Sequence, residues 1–163
     1  MQRQKTEHNY IVILKDSLKS KIGCLEDLIK LNNRIEKLAL GEKWDYELFD
    51  ELISEKGKLI SRLDKLDDGF TGVYNRVKDV LINEKDIYAE DIRELKDSIR
   101  IITELTLKLE KSELKNKEVF DNRLGSMSKE IKVARTSNKV AANYYQNMAK
   151  LNVIEPQFMD KKK

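Results

Sequence analysis

A heptad pattern of apolar residues in the second quarter of the chain constrains the fold more than any other feature of the sequence. Lys56 is the one polar member of a series with alternating spacings of three and four residues, whose apolar members are Phe49, Leu52, Leu59, Leu63, Leu66, Phe70, Val73, Val77 and Val80. A period of 3.5 residues is typical of a helix in a coiled coil. The pattern continues through Asp67-Asp68-Gly69, so we expect one helix there although these residues favour a turn.

The segments before and after this heptad series, which we call the seam, also repeat apolar residues at helical spacing. Their apolar positions are Ile11, Leu14, Leu18, Ile22, Leu25, Leu28, Ile35 and Leu38 before it, and Tyr88, Ile92, Leu95, Ile99, Ile102 and Leu109 after it. The stretch 111–118 is nearly all polar, and a thinner stripe follows it. We therefore expect helices over about 6–40, 45–84 and 87–128.

The ends of these helices carry local signals. Gly41 is placed to adopt the left-handed conformation just past the first helix. Asp45 is placed to cap the second helix, and Trp44 and Phe49 have the spacing of a hydrophobic staple. Near 83–86 the seam loses phase without a Gly or Pro, which predicts a tight reversal; the alternative is one very long helix with a slip in phase.

The sequence predicts an all-α fold, an extended bundle of three long antiparallel helices with coiled-coil packing over residues 1–128. Six Gly and one Pro leave few places for turns, and no β-branched run is bounded by turn residues. A second helix of about 42 residues spans roughly 63 Å. The third helix then draws level with its start near Met127, so we expect residues 129–163 to form a helical tail that overhangs the bundle.

Residues for catalysis or metal binding are scarce. His8 is the only histidine and Cys24 the only cysteine, so the chain offers no multi-histidine metal site, no His-based triad and no internal disulfide. Acidic residues mostly alternate with Lys and Arg at helical spacing, the pattern of a solvated surface. The apolar run 11–14 is too short for a signal peptide or a membrane span. We expect a cytoplasmic protein that is not an enzyme and needs no cofactor.

The tail is the strongest candidate for a binding segment. The stretch 140–159 has only two charged residues in a chain that is 37% charged. Aromatic and Met side chains are favoured at adaptable interfaces. The predicted partner-binding residues are Met127, Ile131, Val140, Tyr144, Tyr145, Met148 and Leu151. Two alternatives remain, in which the tail folds back over the bundle end or joins two copies in a homodimer.

Charge is distributed unevenly along the chain. Residues 1–110 carry 20 basic and 23 acidic side chains, whereas residues 111–163 carry 12 and 6. Four basic residues fall on one helical face opposite the tail's apolar stripe: Lys129, Lys132, Arg135 and Lys139. This face is either the ordinary solvated side of an amphipathic helix or a surface for an acidic partner. We expect no nucleic acid partner, because the cations are few and no reading motif is present.

The sequence also resembles a known family. The segments GEKWDYELFDELISEKGKLISRLDKLDDGFTGVYNRV and SNKVAANYYQNM are similar to those of FlgN-type flagellar export chaperones, and the similarity covers roughly residues 8–150. The resemblance implies a cytosolic helical chaperone that holds amphipathic helical segments of hook-associated proteins with its C-terminal segment before type III export. It names the export gate as a further candidate partner, and it does not separate this family from the FliT-type chaperones.

A protein of a different class fits the same pattern. A structural coiled-coil scaffold would use the tail to complete a homo-oligomer and would have no client. The chaperone hypothesis predicts a monomer or weak dimer that forms a defined complex with a client. The scaffold hypothesis predicts a tight oligomer alone.

Overall fold

The structure, a computed structural model, describes residues 2–126 and residue 143. Three helices follow one another: α1 (Gln2–Leu40), α2 (Tyr46–Asn83) and α3 (Ala89–Ser126). Of the described residues, 92% are helical and none lies in a strand, so the predicted all-α bundle is confirmed. α1 begins four residues earlier than predicted. The predicted tail, 129–163, lies outside the described residues apart from Asn143.

The reversal between α2 and α3 occurs where the loss of phase predicted it. The backbone N–H of Glu84 donates to the carbonyl of Val80 at 2.8 Å and ends α2. The N–H of Tyr88 donates to the carbonyl of Glu84 at 3.3 Å, and α3 starts at the next residue. The chain therefore reverses in five residues without Gly or Pro, and the alternative of one very long helix is wrong.

α1 is the central helix of the bundle. It packs closely along both α2 and α3, whereas the backbones of α2 and α3 approach each other much less. α1 and α2 are antiparallel, since Ser17 of α1 donates to the carbonyl of Leu66 at 3.3 Å while Cys24, later in α1, donates to that of Leu59, earlier in α2. At the contact between α1 and α3, the hydroxyl of Tyr88 donates to Glu7 at 3.4 Å, so α3 starts beside the start of α1.

The apolar face of α2 is wider than the predicted seam. Its central column is fully buried and repeats every seven residues: Phe49, Lys56, Leu63, Phe70 and Val77. Four members of the predicted seam are only half-buried, which corrects the expectation that the seam residues lie in the core: Leu59, Leu66, Val73 and Val80. Ile53, Ile60 and Leu81, absent from the prediction, are buried on the opposite flank. A helix that faces two neighbours needs an apolar face broader than two columns.

The α1–α2 connection is built as predicted at the start of α2. The side chain of Asp45 accepts from the N–H of Leu48 at 3.0 Å, and the ring of Trp44 lies 4.8 Å from that of Phe49. The expectation for Gly41 is wrong, because no described residue has a positive φ. α1 ends instead with the N–H of Gly41 donating to the carbonyl of Leu38 at 3.2 Å, a bond that tightens the last turn.

Among the described residues, no helix contains a stretch apolar and long enough to cross a bilayer.

Leu63 provides a test of the core. Its side chain is fully buried among residues of α1 and α3, so Leu63→Ala should lower the free energy of unfolding by about 2–5 kcal/mol. Leu107→Ala is the matched control, since Leu107 is 55% exposed and its truncation should change little. Urea denaturation measures both; equal effects of the two substitutions would contradict the assigned core.

Candidate functional site

The residues predicted to bind a partner are not part of the described structure. All seven of them lie beyond Ser126 and outside the described residues, so their placement stays a prediction: Met127, Ile131, Val140, Tyr144, Tyr145, Met148 and Leu151. The described bundle contains a different candidate, a groove between α2 and α3 near the reversal that joins them.

The groove encloses about 720 Å³ and is open to solvent along one side. Its lining is mainly apolar and comes from both helices: Phe70, Tyr74, Leu81, Ile82, Ala89, Ile92 and Leu95, with Lys85, Asp86 and Lys96 among the polar members. Phe70, Leu81 and Leu95 are buried and form the floor, while Ile82 is 50% exposed at the rim. We call this set the α2–α3 groove.

Aromatic stacking fixes one wall of the α2–α3 groove. The rings of Phe70 and Tyr74 are parallel within 6°, with centroids 6.1 Å apart. Burial raises the pKa of the Tyr74 hydroxyl, and the nearby carboxylate of Asp79 raises it further. Tyr74 is therefore neutral at physiological pH and presents a ring face with one polar tip.

Two exposed leucines of α3 lie beyond the groove. Leu107 lies 18 residues after Ala89, and Leu114 lies 18 residues after Lys96. Eighteen residues make five full helical turns, so each leucine points in the same direction as a residue that lines the groove. Leu107 is 55% and Leu114 is 65% exposed. Arg93, Arg100 and Thr103 lie on the same face of α3 between the groove and Leu107, so the two leucines are isolated exposed apolar positions on a mixed surface.

The two helices are joined more firmly at the other end of the bundle. The ring of Phe49 in α2 stacks on that of Phe120 in α3, with centroids 5.0 Å apart and planes within 19°. Arg123 continues this contact, because its guanidinium lies 5.9 Å from the Trp44 ring and donates to the carbonyl of Gly41 at 2.7 Å. This cation also satisfies carbonyl oxygens at the C-terminal end of α1. The aromatic cluster thus holds α2 and α3 together where the groove is absent.

A buried polar layer separates this end from the groove. Lys56 of α2 forms an ion pair with Glu113 of α3, and both side chains are almost completely shielded from solvent. Asn32 of α1 donates to the Glu113 carboxylate at 3.0 Å and to the Ser112 hydroxyl at 2.9 Å. Asn116 donates to the backbone carbonyl of Asn32 at 2.9 Å. All three helices therefore meet in one hydrogen-bonded layer, which lies between the two apolar clusters of the core.

Burial and charge act in opposite directions on Lys56. Burial lowers the pKa of its ammonium to about 8 from an ordinary 10.5, and the Glu113 carboxylate opposes this shift. A second buried lysine, Lys21, pairs with Asp67 at 2.7 Å between α1 and α2. Burial raises the pKa of Asp67, while the Lys21 ammonium opposes the rise. Both ion pairs join helices, and neither opens into the α2–α3 groove lining.

The described residues offer little for catalysis. No group of three or more His, Cys, Asp or Glu side chains within the described part of the chain is placed to hold a metal ion. Cys24 is buried, and its thiol donates to the carbonyl of Leu59 at 3.3 Å. Burial raises the pKa of this thiol to about 11, so the nucleophilic thiolate is scarce at neutral pH.

Comparison of the chain with protein-family models, with curated proteins and with solved structures finds no match. The resemblance to FlgN-type chaperones therefore stays a prediction that rests on segments 41–77 and 137–148.

The polar layer predicts a strong coupling between Lys56 and Glu113. Lys56→Met alone leaves a carboxylate buried without its cation and should cost about 3–5 kcal/mol of stability. The double change Lys56→Met with Glu113→Leu removes both charges and should be neutral or stabilising by about 1–4 kcal/mol. A double-mutant cycle measured by chemical denaturation tests this; additive losses would show that the two side chains are not coupled.

The same lysine predicts a pH dependence. The folded-state pKa of Lys56, about 8, lies below its ordinary 10.5, so between these values the unfolded chain holds a proton that the folded chain has released. The contribution of Lys56 to stability therefore rises with pH across this window and is constant below it. Relative to the Lys56→Met, Glu113→Leu variant, the natural chain should gain stability between pH 7.5 and 10. A pH-independent difference in the free energy of unfolding would contradict the assignment.

Proposed function

We propose that this protein is a chaperone-type binding protein that holds an amphipathic helix of a partner protein. The observation that carries the proposal is the α2–α3 groove together with the aligned, exposed side chains of Leu107 and Leu114. A fourth helix laid between α2 and α3 would cover the apolar floor of this groove, as in a four-helix bundle. Recognition of an amphipathic helix by an apolar groove is a common mode of protein binding.

The shape and lining of the groove favour a helix over a small polar ligand. The volume of about 720 Å³ is within the roughly 300–1,000 Å³ typical of ligand sites. Small-molecule sites usually add convergent polar groups to an apolar floor. Here the buried floor residues are Phe70, Leu81 and Leu95, and the charged members stand at the reversal and the rim.

The sequence resemblance supplies the biological setting of the proposal. We place the chain among cytoplasmic flagellar export chaperones, with amphipathic helical segments of hook-associated proteins as clients. The apolar stretch 140–159 is part of the same proposal as a second binding element, reached through the basic residues that precede it. The alternative is a scaffold without a client. It is favoured by the same exposed leucines if they pack against a second copy of the chain.

Two exposed isoleucines allow a matched test of the groove. Ile82→Glu places a charge on the rim of the groove, and Ile13→Glu places one on α1 at a similarly exposed position, 47% against 50%. Both variants should fold with near-native stability. Ile82→Glu should weaken binding of hook-associated protein fragments at least tenfold in isothermal titration calorimetry, and Ile13→Glu should leave it unchanged. If the unmodified chain is a tight oligomer by analytical ultracentrifugation and binds no fragment, the scaffold alternative is correct.

The tail is tested by a separate double change. Tyr145→Glu with Met148→Glu should remove client binding and leave the melting temperature nearly unchanged, because the proposal assigns these side chains to a partner. Thermal denaturation followed by circular dichroism measures the second quantity. A fall of about ten degrees, roughly what a loss of 2–3 kcal/mol produces in a chain of this size, would assign the tail to the core instead.

A further inference from the structure

The mouth of the α2–α3 groove carries an excess of positive charge. Lys85 and Lys96 line it, with Asp86 as the acidic member of the lining. Lys78 lies one helical turn from both Tyr74 and Ile82 and so stands on the same face of α2. Three cations thus stand at or near the groove mouth, with the carboxylates of Asp86 in the lining and of Asp79 near Tyr74.

These lysines differ from the other basic side chains near the groove. Arg93 is paired with Glu90, and Arg100 lies 3.7 Å from Asp97, so both have a carboxylate on their own helix. Lys78, Lys85 and Lys96 form no ion pair with another described residue. Their ammonium groups are available to a ligand that enters the groove.

We propose that the α2–α3 groove selects an amphipathic helix whose flanks are acidic, with Lys78, Lys85 and Lys96 pairing with its carboxylates. The proposal rests on the proposed function and names the class of partner that the groove takes. Complementary charges at the rim of an interface select partners and speed their encounter more than they add affinity. The apolar floor then provides the larger part of the binding energy.

Charge also separates this partner from the other possible occupants. Residues 127–163 carry eight basic and three acidic side chains, so this segment is poorly matched to a basic groove mouth. The same segment of a second copy is mismatched for the same reason. An acidic helix from another protein would instead meet opposite charge at the groove mouth.

Two synthetic helices test the selection with the full chain. Both peptides carry the same leucine face at heptad spacing and differ only at the flanking positions, which are Glu in one and Lys in the other. We expect the Glu peptide to bind about tenfold more tightly at low salt, the effect of three exposed ion pairs of modest strength. The preference should shrink at high salt, where exposed charges are screened. Fluorescence anisotropy of labelled peptides measures the affinities.

A charge-reversal variant locates the preference. Lys78→Glu, Lys85→Glu and Lys96→Glu together should reverse the order of the two peptides. The matched control changes three exposed lysines on α1 and the α1–α2 connection, Lys19→Glu, Lys37→Glu and Lys43→Glu, and alters the net charge equally. This control should keep the preference for the Glu peptide. The same reversal in both variants would assign the effect to net charge and overturn the proposed role of the groove mouth.

The outcomes separate the two proposals. If both peptides bind with equal affinity and Ile82→Glu weakens both, the groove binds helices without selecting acidic ones, and only the further inference fails. If neither peptide binds, the proposed function fails with it, because the groove is then closed by the chain's own segment or by a second copy. Sedimentation velocity on the same samples distinguishes these two occupants.

Discussion

The ion pair between Lys56 and Glu113 is the constraint on which the arrangement of the helices depends. Apolar heptads alone allow neighbouring helices to slide by seven residues with little change in packing, because leucine replaces leucine. Sliding α2 past α3 would bury an ammonium and a carboxylate without partners, at a cost of several kcal/mol. The hydrogen bonds from Asn32 add α1 to the same layer. One buried polar residue in a seam is a known device for fixing register.

The fixed register explains why one end of the α2–α3 interface is filled and the other is open. With Lys56 opposite Glu113, Phe49 meets Phe120, and these large rings close the gap between two helices whose backbones are not close. Toward the reversal, Tyr74 and Leu81 face Ile92 and Leu95 across the α2–α3 groove. The bundle is therefore a three-helix structure whose α2–α3 interface is filled at one end and open at the other.

The sequence predicted the elements well because their signals are local. The staple of Trp44 on Phe49, the cap at Asp45 and the loss of phase near residue 84 each depend on a few neighbouring residues. The sequence alone predicts that the stretch 111–118 interrupts the apolar pattern with exposed polar residues. In the structure, Glu113 and Asn116 of this stretch are buried. Two features of the sequence indicated a buried polar layer. Asn116 follows Ile102 and Leu109 at spacings of seven, and Lys56 occupies a core position that requires an anionic partner. The groove was not predictable, because the periodicity of one helix does not tell how closely its two neighbours approach each other.

The buried thiol of Cys24 has a consequence for measuring how the bundle moves. It lies at the contact of α1 with the carbonyl of Leu59 in α2, and it is the chain's single cysteine. A reagent that alkylates thiols reaches it only when this contact separates, and it reacts only with the thiolate, which burial suppresses. The rate of alkylation therefore reports how often α1 and α2 part at one defined place along the bundle. The alkylation rate of Cys24 can be compared with and without a helix bound in the groove. A difference would show that binding on one side of α2 changes how often α1 and α2 separate on the other side.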